Sequence, residues 1–228
     1  MKFLLTNDDG WGYDGLKVLE EVASEFGEVW TVAPAGPMSG ISHKLTFEHP
    51  LTLLEKAPQS FSLDGTPADC VRVALDQLDV EFDWVLSGVN RGANLGSDVN
   101  VSGTVAAVRE ASLFNCKGIA FSQHLRKFNS PFDWSKSSSL AKRILPQLFK
   151  SGLQVGGWMN VNFPDVGDGD LKAVPFEVVE LDRNPLPVEY EKTEDGKLLY
   201  CAKYSDRVRT PGRDADVCFS GCVSITSH

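Results

Sequence analysis

The chain has 228 residues, 42% of them hydrophobic and 23% charged, with a net charge of −9. That length supports one sizeable core, or two unequal parts. The acidic balance argues against broad binding to nucleic acid or anionic membrane, yet leaves room for a small anion held through a metal. Lys2 is followed by only three apolar residues before Thr6-Asn7-Asp8-Asp9, so no leader segment is expected, and no apolar run reaches membrane-spanning length. Cys70, Cys116, Cys201, Cys218 and Cys222 are scattered and lack partners at zinc spacing. They read as reduced, mostly core thiols, and a cytoplasmic protein is expected.

In chain order, Lys2 to Thr6 reads as a buried first strand ending abruptly in Asn7-Asp8-Asp9-Gly10. Gly15 to Phe26 carries Leu16, Leu19, Val22, Ala23 and Phe26 at helical spacing, with Gly27 as the expected C-cap. Glu28 to Ala33 is the next strand, and a Gly/Pro/Ser-rich loop from Pro34 to Ser42 contains Ser39. Lys44 to Leu54 and Phe61 to Leu63 look extended. Thr66-Pro67-Ala68-Asp69 predicts a capped helix start, with Thr66 as N-cap and Pro67 as first helical residue.

Phe82 to Leu86 predicts a third buried strand, followed by a long polar loop from Ser87 to Gly96 that includes Asn90 and Asn94. Ser102-Gly103-Thr104 opens a helix with small residues suited to close packing. Gly118 to Ser122 predicts a fourth strand, and Ser135 to Phe149 a helix that Pro146 should kink or shorten. Trp158 to Phe163 is a strand. From Gly167 onward helical periodicity disappears, leaving extended pieces at Lys172 to Leu181, Leu198 to Tyr204 and Cys222 to Thr226, with an Asp195-Gly196 turn between Tyr190 and Tyr200. The expected architecture is a doubly wound α/β body with a mostly parallel, Rossmann-like sheet over residues 1–163. A strand-rich, hairpin-containing C-terminal extension over 164–228 would serve oligomerisation and closure of the sheet.

In such a sheet, loops beyond the carboxyl ends of the strands converge. The loops that hold Asp8-Asp9, Ser39, Asn90 with Asn94, and Ser102-Gly103-Thr104 would bring together two carboxylates, a hydroxyl and a carboxamide oxygen, an all-oxygen set suited to one hard divalent cation, Mg²⁺ or Mn²⁺ with Co²⁺ as a further option. Two adjacent like charges are costly unless something positive binds beside them. Ser102-Gly103-Thr104 at a helix start offers an anion cradle. Metal and cradle together point to phosphoryl chemistry. Each residue also has a plainer reading: Asp8-Asp9 as a solvated turn, Ser39 as an ordinary loop serine, Asn90 and Asn94 as turn residues, Ser102 as a helix cap. His43 reads as a surface or packing residue; Arg91 and Arg109 either neutralise substrate or pair with acids; Trp11 and Tyr13 either stack on a base or pack at a subunit contact.

Thr6-Asn7-Asp8-Asp9-Gly10, Gly65-Thr66-Pro67-Ala68-Asp69-Cys70-Val71, Ser87-Gly88-Val89-Asn90-Arg91-Gly92-Ala93-Asn94, Ser102-Gly103-Thr104-Val105 and Gly221-Cys222-Val223-Ser224-Ile225-Thr226 together resemble the SurE family, the stationary-phase survival proteins that act as 5′/3′-nucleotidases. The resemblance spans nearly the whole chain in order. It implies a SurE-like fold and metal-dependent hydrolysis of nucleoside monophosphates through a metal-activated water. Asp8, Asp9, Ser39 and Asn90 would lie on the metal, Asp8 or Asp9 would accept the proton, and Asn94, Ser102, Gly103 and Thr104 would lie near the phosphate. It also implies a homodimer or a tetramer that exchanges C-terminal segments. Asp14 and the early end at His228 depart from the family's usual pattern. Two alternatives are a phosphatase forming an aspartyl-phosphate, which usually wants a second Asp where Gly10 stands, and a non-catalytic nucleotide-binding protein.

Overall fold

The alternation of Phe3, Leu4 and Leu5 in strand β1 (Lys2–Thr6) sets the two faces of the sheet. Phe3 and Leu5 join the core on one face, and Leu4 the core on the other. A computed structural model describes residues 1–126, 132–167 and 169–228. In it β1 is followed by α1 (Asp14–Ser24), β2 (Glu28–Pro34), β3 (Leu53–Ala57), β4 (Ser60–Leu63), α2 (Pro67–Gln77) and β5 (Trp84–Arg91). A 3-10 turn (Gly96–Asn100), α3 (Gly103–Leu113), β6 (Lys117–Gln123), α4 (Trp134–Phe149) and β7 (Trp158–Phe163) complete the amino-terminal part. The remainder holds β8 (Phe176–Val178), β9 (Tyr190–Lys192), β10 (Leu198–Tyr200), a second 3-10 turn (Tyr204–Asp206), α5 (Asp214–Phe219) and β11 (Val223–Ser227).

Nine strands form one sheet in the order β3-β4-β2-β1-β5-β6-β7-β11-β8. The run from β4 to β7 is parallel throughout, whereas β3 and β11 pair antiparallel with β4 and β7. The fold is thus the expected α/β class with a mostly parallel sheet. The side chains of α1 and α4 pack on one face, those of α2 and α3 on the other. Sequence order leaves β1 toward β2 on one side and resumes at β5 on the other, so the end of β1 lies at a topological switch point, where open α/β sheets bind ligands. Strands β9 and β10 form a separate antiparallel pair.

Several local readings hold. Thr66 and Asp69 form a reciprocal capping box: the Thr66 Oγ1 accepts from the Asp69 N–H (3.1 Å), and the Thr66 N–H donates to Asp69 Oδ2 (2.9 Å). Others are corrected. Helix α1 stops at Ser24 with Glu25 as C-cap, and Gly27 is no cap: a Cβ there would lie 2.0 Å from the Met1 carbonyl oxygen, so glycine is needed for close approach. The stretch from Lys44 is irregular up to β3. Its polar groups go to the α2 cap, where the Thr46 N–H and hydroxyl donate to Asp69. Strand β5 runs on through Ser87 to Arg91, a stretch expected to be loop, because the polar residues there are enclosed between neighbouring strands. Helix α4 continues through Pro146 to Phe149, held by the burial of Leu145 and Leu148. Helix α5 was not expected, since six residues are too few to display a helical period.

His124, just past β6, is 6% exposed and stacks on Phe219 of α5 with ring centroids 4.3 Å apart. Burial pushes its imidazole down to about 4, with Arg126, Arg207 and Arg209 adding to that and Asp165 opposing it. The unfolded chain, titrating near 6.5, therefore binds the extra proton between the two values. The contribution of His124 to stability should be full above about pH 6.5 and fall by about 3 kcal/mol on acidification toward pH 4. Urea unfolding of the native protein and His124→Gln over that range should give a steeper acid loss in the native protein.

Candidate active site

Asn7 builds the turn that carries the two carboxylates. Its Oδ1 accepts from the Gly10 N–H (3.1 Å) and its Nδ2 donates to the Gly10 carbonyl (3.0 Å). Gly10 has φ 111°, and a Cβ there would press on the Gly36 backbone at 3.1 Å, so the position excludes other residues. The loop after β2 closes over this turn: the Met38 N–H donates to the Asp8 carbonyl (2.7 Å), and the Trp11 N–H to Pro34 (2.7 Å). Ser39 and Gly40 are thereby brought to the rim of the same cleft.

The cleft has a volume of about 770 Å³. Asp8, Asp9, Ser39, Asn90, Asn94 and Ser102 all line it, as does Arg91. Tyr13, Phe132 and Trp134 give it an aromatic end. Asn90 reaches it from a break in β5, where the register with β6 shifts between Ser87 and Asn90 and the Gly88–Val89 peptide is cis. The Asn90 amide nitrogen donates to Gly92 (2.9 Å).

Asp8 is buried and Asp9 half-buried. Burial raises the Asp8 carboxyl above its ordinary range, against the opposing effect of hydrogen bonds from Thr104 and the backbone. Asp9 is pushed up to about 6, first by burial, then by the charge of Asp8, with Arg91 acting the other way. The two acids thus meet where desolvation and mutual repulsion both disfavour full ionisation, an arrangement that a cation offsets. The donors around them are all oxygen, and among the described residues no cluster of three or more His, Cys, Asp or Glu side chains forms a metal-binding group. Two carboxylates with neutral hydroxyl and carboxamide oxygens fit a hard cation that retains water. Asp8, Asp9, Ser39 and Asn90 therefore fit the expected divalent metal.

The Ser102-Gly103-Thr104 segment divides in two. Ser102 lines the cleft while its hydroxyl also caps α3, accepting from the Val105 N–H (3.1 Å). Thr104 is instead wholly buried, and its hydroxyl donates to Asp8 Oδ1 (2.5 Å). Gly103 packs against Asp8, where an added Cβ would lie 2.8 Å from the Asp8 Cβ. The anion held by the first turn of α3 is thus Asp8 itself, and Gly103 and Thr104 act on it, away from the cleft wall.

Asn94 is fixed by groups that the sequence reading did not single out. Its Nδ2 donates to Ser122 Oγ (2.8 Å), its N–H to Asn162 Oδ1 (2.8 Å), and its carbonyl accepts from the side chains of Asn160 (2.8 Å) and Asn162 (3.1 Å). Two asparagines two apart in the otherwise apolar β7 place both amides on one face, and that spacing was the available signal. Tyr13 lines the cleft, whereas the Trp11 indole donates to Ser60 (3.0 Å). Arg109 donates to His43 Nδ1 (3.0 Å), and His43 Nε2 meets the buried Glu110 (2.7 Å), so these form a packing network on α3. The five cysteines are free thiols, and among the described residues no helix is long and apolar enough to cross a membrane.

The sequence profile of the family described as Survival protein SurE matches residues 3–184. A relative from Nostoc sp. (strain PCC 7120) is 39% identical over 227 residues, covering 99% of this chain and 98% of its own. The 5′-nucleotidase SurE of Cereibacter sphaeroides (strain KD131) is 39% identical over 243 residues, covering 99% of this chain and 92% of its own. The crystal structure of the Sure protein from Aquifex aeolicus matches with a TM-score of 0.86 at 29% identity, over 100% of this chain and 93% of that one.

Replacing Thr104 with Val keeps its shape and removes the hydroxyl from a buried carboxylate. Loss of such a partner costs about 1–3 kcal/mol. Urea unfolding of metal-free Thr104→Val should register that loss, and an unchanged midpoint would contradict the role given to the hydroxyl.

Proposed function

This chain belongs to the SurE family, and on that premise we propose that it is a metal-dependent phosphomonoesterase. Its substrates are nucleoside 5′-monophosphates, with 3′-monophosphates as a second class, and its products are nucleoside and phosphate. The observation that carries this reading is the pairing of Asp8 and Asp9 in a cleft that also holds the neutral oxygens of Ser39 and Asn90. The 5′-nucleotidase activity named for relatives such as that of Cereibacter sphaeroides supports the substrate class.

Asp8, Asp9, Ser39 and Asn90 would hold one Mg²⁺ or Mn²⁺. Such a cation, when bound, polarises a phosphoryl oxygen and makes water more acidic. Asp8 is the fixed member of the pair, since Thr104 and the α3 amino terminus orient its carboxylate. Asp9 is the member that takes a proton from the attacking water at its carboxylate. Its carboxylate is the half-buried, more accessible one of the two, open to the cleft where water would lie. Asn94 and Ser102 line the same cleft and would contact the phosphate. Arg91 supplies positive charge in the same cleft, and Tyr13, Phe132 and Trp134 offer the nucleoside aromatic contacts. The exposed apolar side chains of the β9–β10 hairpin, Tyr190, Leu198, Leu199 and Tyr200, support exchange of this segment in a homodimer or tetramer.

Phosphate release from AMP in Mg²⁺, Mn²⁺ and Co²⁺ tests the assignment. Asp8→Asn should retain the fold and lose at least about 100-fold in turnover. Full Mn²⁺-dependent release by that variant would remove Asp8 from the reaction.

A further inference from the structure

Asn94 and Ser102 are separated by the 3-10 turn Gly96–Asn100, and one residue in that turn ties both ends of the loop. The Asp98 carboxylate Oδ2 accepts from the Leu95 N–H (3.0 Å), next to Asn94. The Asp98 carbonyl accepts from the Ser102 N–H (3.0 Å). The spacing between the two cleft residues therefore depends on where Asp98 sits.

Asp98 is in turn held by residues more than a hundred positions later. Arg207 Nη1 donates to Asp98 Oδ2 (2.8 Å), while its Nη2 donates to the Leu95 carbonyl (2.9 Å). The Tyr204 hydroxyl donates to the same Asp98 oxygen (2.6 Å), and the guanidinium lies 4.9 Å from the Tyr204 ring centroid. Asp98 and Arg207 are 5% and 4% exposed. A second strut comes from Asp214 of α5, which accepts from the Gly96 N–H (2.7 Å) and the Asp182 N–H (2.7 Å). A buried ion pair is a weak source of net stability compared with apolar packing, but a forked guanidinium defines geometry.

We propose that Arg207, assisted by Tyr204, is a positioning residue for phosphate binding: through Asp98 it sets the distance between Asn94 and Ser102. This rests on the reading that those two residues face the phosphate. The carboxylates of Asp8 and Asp9 have further supports in the Asn7–Gly10 turn and in the body of α3, which carries the Thr104 hydroxyl. Loss of the clamp should thus fall more heavily on phosphate binding than on the chemical step.

The test uses the full chain with Mn²⁺. It measures kcat and KM for AMP, the Kd for inorganic phosphate by calorimetry, and the melting temperature. Arg207→Met should raise KM and the phosphate Kd by about tenfold or more, with kcat within about twofold. Arg207→Lys should recover part of the loss, since one of the two donor prongs is restored. Should Arg207→Met fail to fold, Tyr204→Phe, which keeps the ring and the ion pair, should still raise both constants. Ser102→Ala is the control for the underlying reading. If it weakens phosphate binding while the Arg207 and Tyr204 variants do not, the clamp is refuted and the phosphate site stands. If Ser102→Ala leaves phosphate affinity unchanged, the reading of the phosphate site itself fails. A uniform fall of kcat, affinity and melting temperature without rescue by Lys would reduce Arg207 to a structural residue.

Discussion

Two carboxylates side by side at the end of a buried strand repel one another and are both poorly hydrated. Each raises the cost of ionising the other, and the protein spends much of its local structure on holding them there. Asn7 closes the turn beneath them, Gly10 lets the chain leave, the Met38 N–H ties the overlying loop to the Asp8 carbonyl, and α3 aims its first turn and the Thr104 hydroxyl at Asp8. None of these contacts neutralises the pair. They fix it in an orientation that a hard cation would complete, and this is how a costly feature becomes a useful one.

The rest of the sheet can be understood from that constraint. Placing β1 between β2 and β5 brings the Ser39 loop and the Asn90 bend to the two flanks of the acids. Strands β6 and β7 then supply Ser122, Asn160 and Asn162, whose side chains hold Asn94. Strands β8 and β11 add to the same sheet, and Tyr204, Arg207 and Asp214 reach back to the turn between Asn94 and Ser102. The carboxyl-terminal residues therefore brace the loop between two cleft residues as well as forming the far edge of the sheet.

What was legible from sequence divides along physical lines. Apolar periodicity and capping chemistry are local, so β1, α1 and the Thr66–Asp69 box could be read directly. The acidic turn stood out because unpaired charges beside a buried strand demand an explanation. Polar residues inside a strand look like loop at Ser87 to Arg91, because their burial depends on neighbours distant in sequence. Gly27 resembles a C-cap because a glycine needed for close approach looks the same in sequence as one needed for a positive φ. The segment Ser102-Gly103-Thr104 reads in sequence as a phosphate cradle, but only Ser102 lines the cleft; Thr104 is turned to a nearer anion, Asp8, which lies far away in sequence. The Arg207–Asp98 pair spans more than a hundred residues and leaves no local trace.

Calorimetric titration of the metal-free protein with Mn²⁺ near pH 6, in buffers of different ionisation enthalpy, tests the central claim most directly. The account predicts one Mn²⁺ bound per chain with measurable proton release, because Asp9 is partly protonated there. It also predicts that Asp8→Asn and Asp9→Asn each abolish or strongly weaken that binding. Equal Mn²⁺ affinity in the native protein and both variants would contradict it.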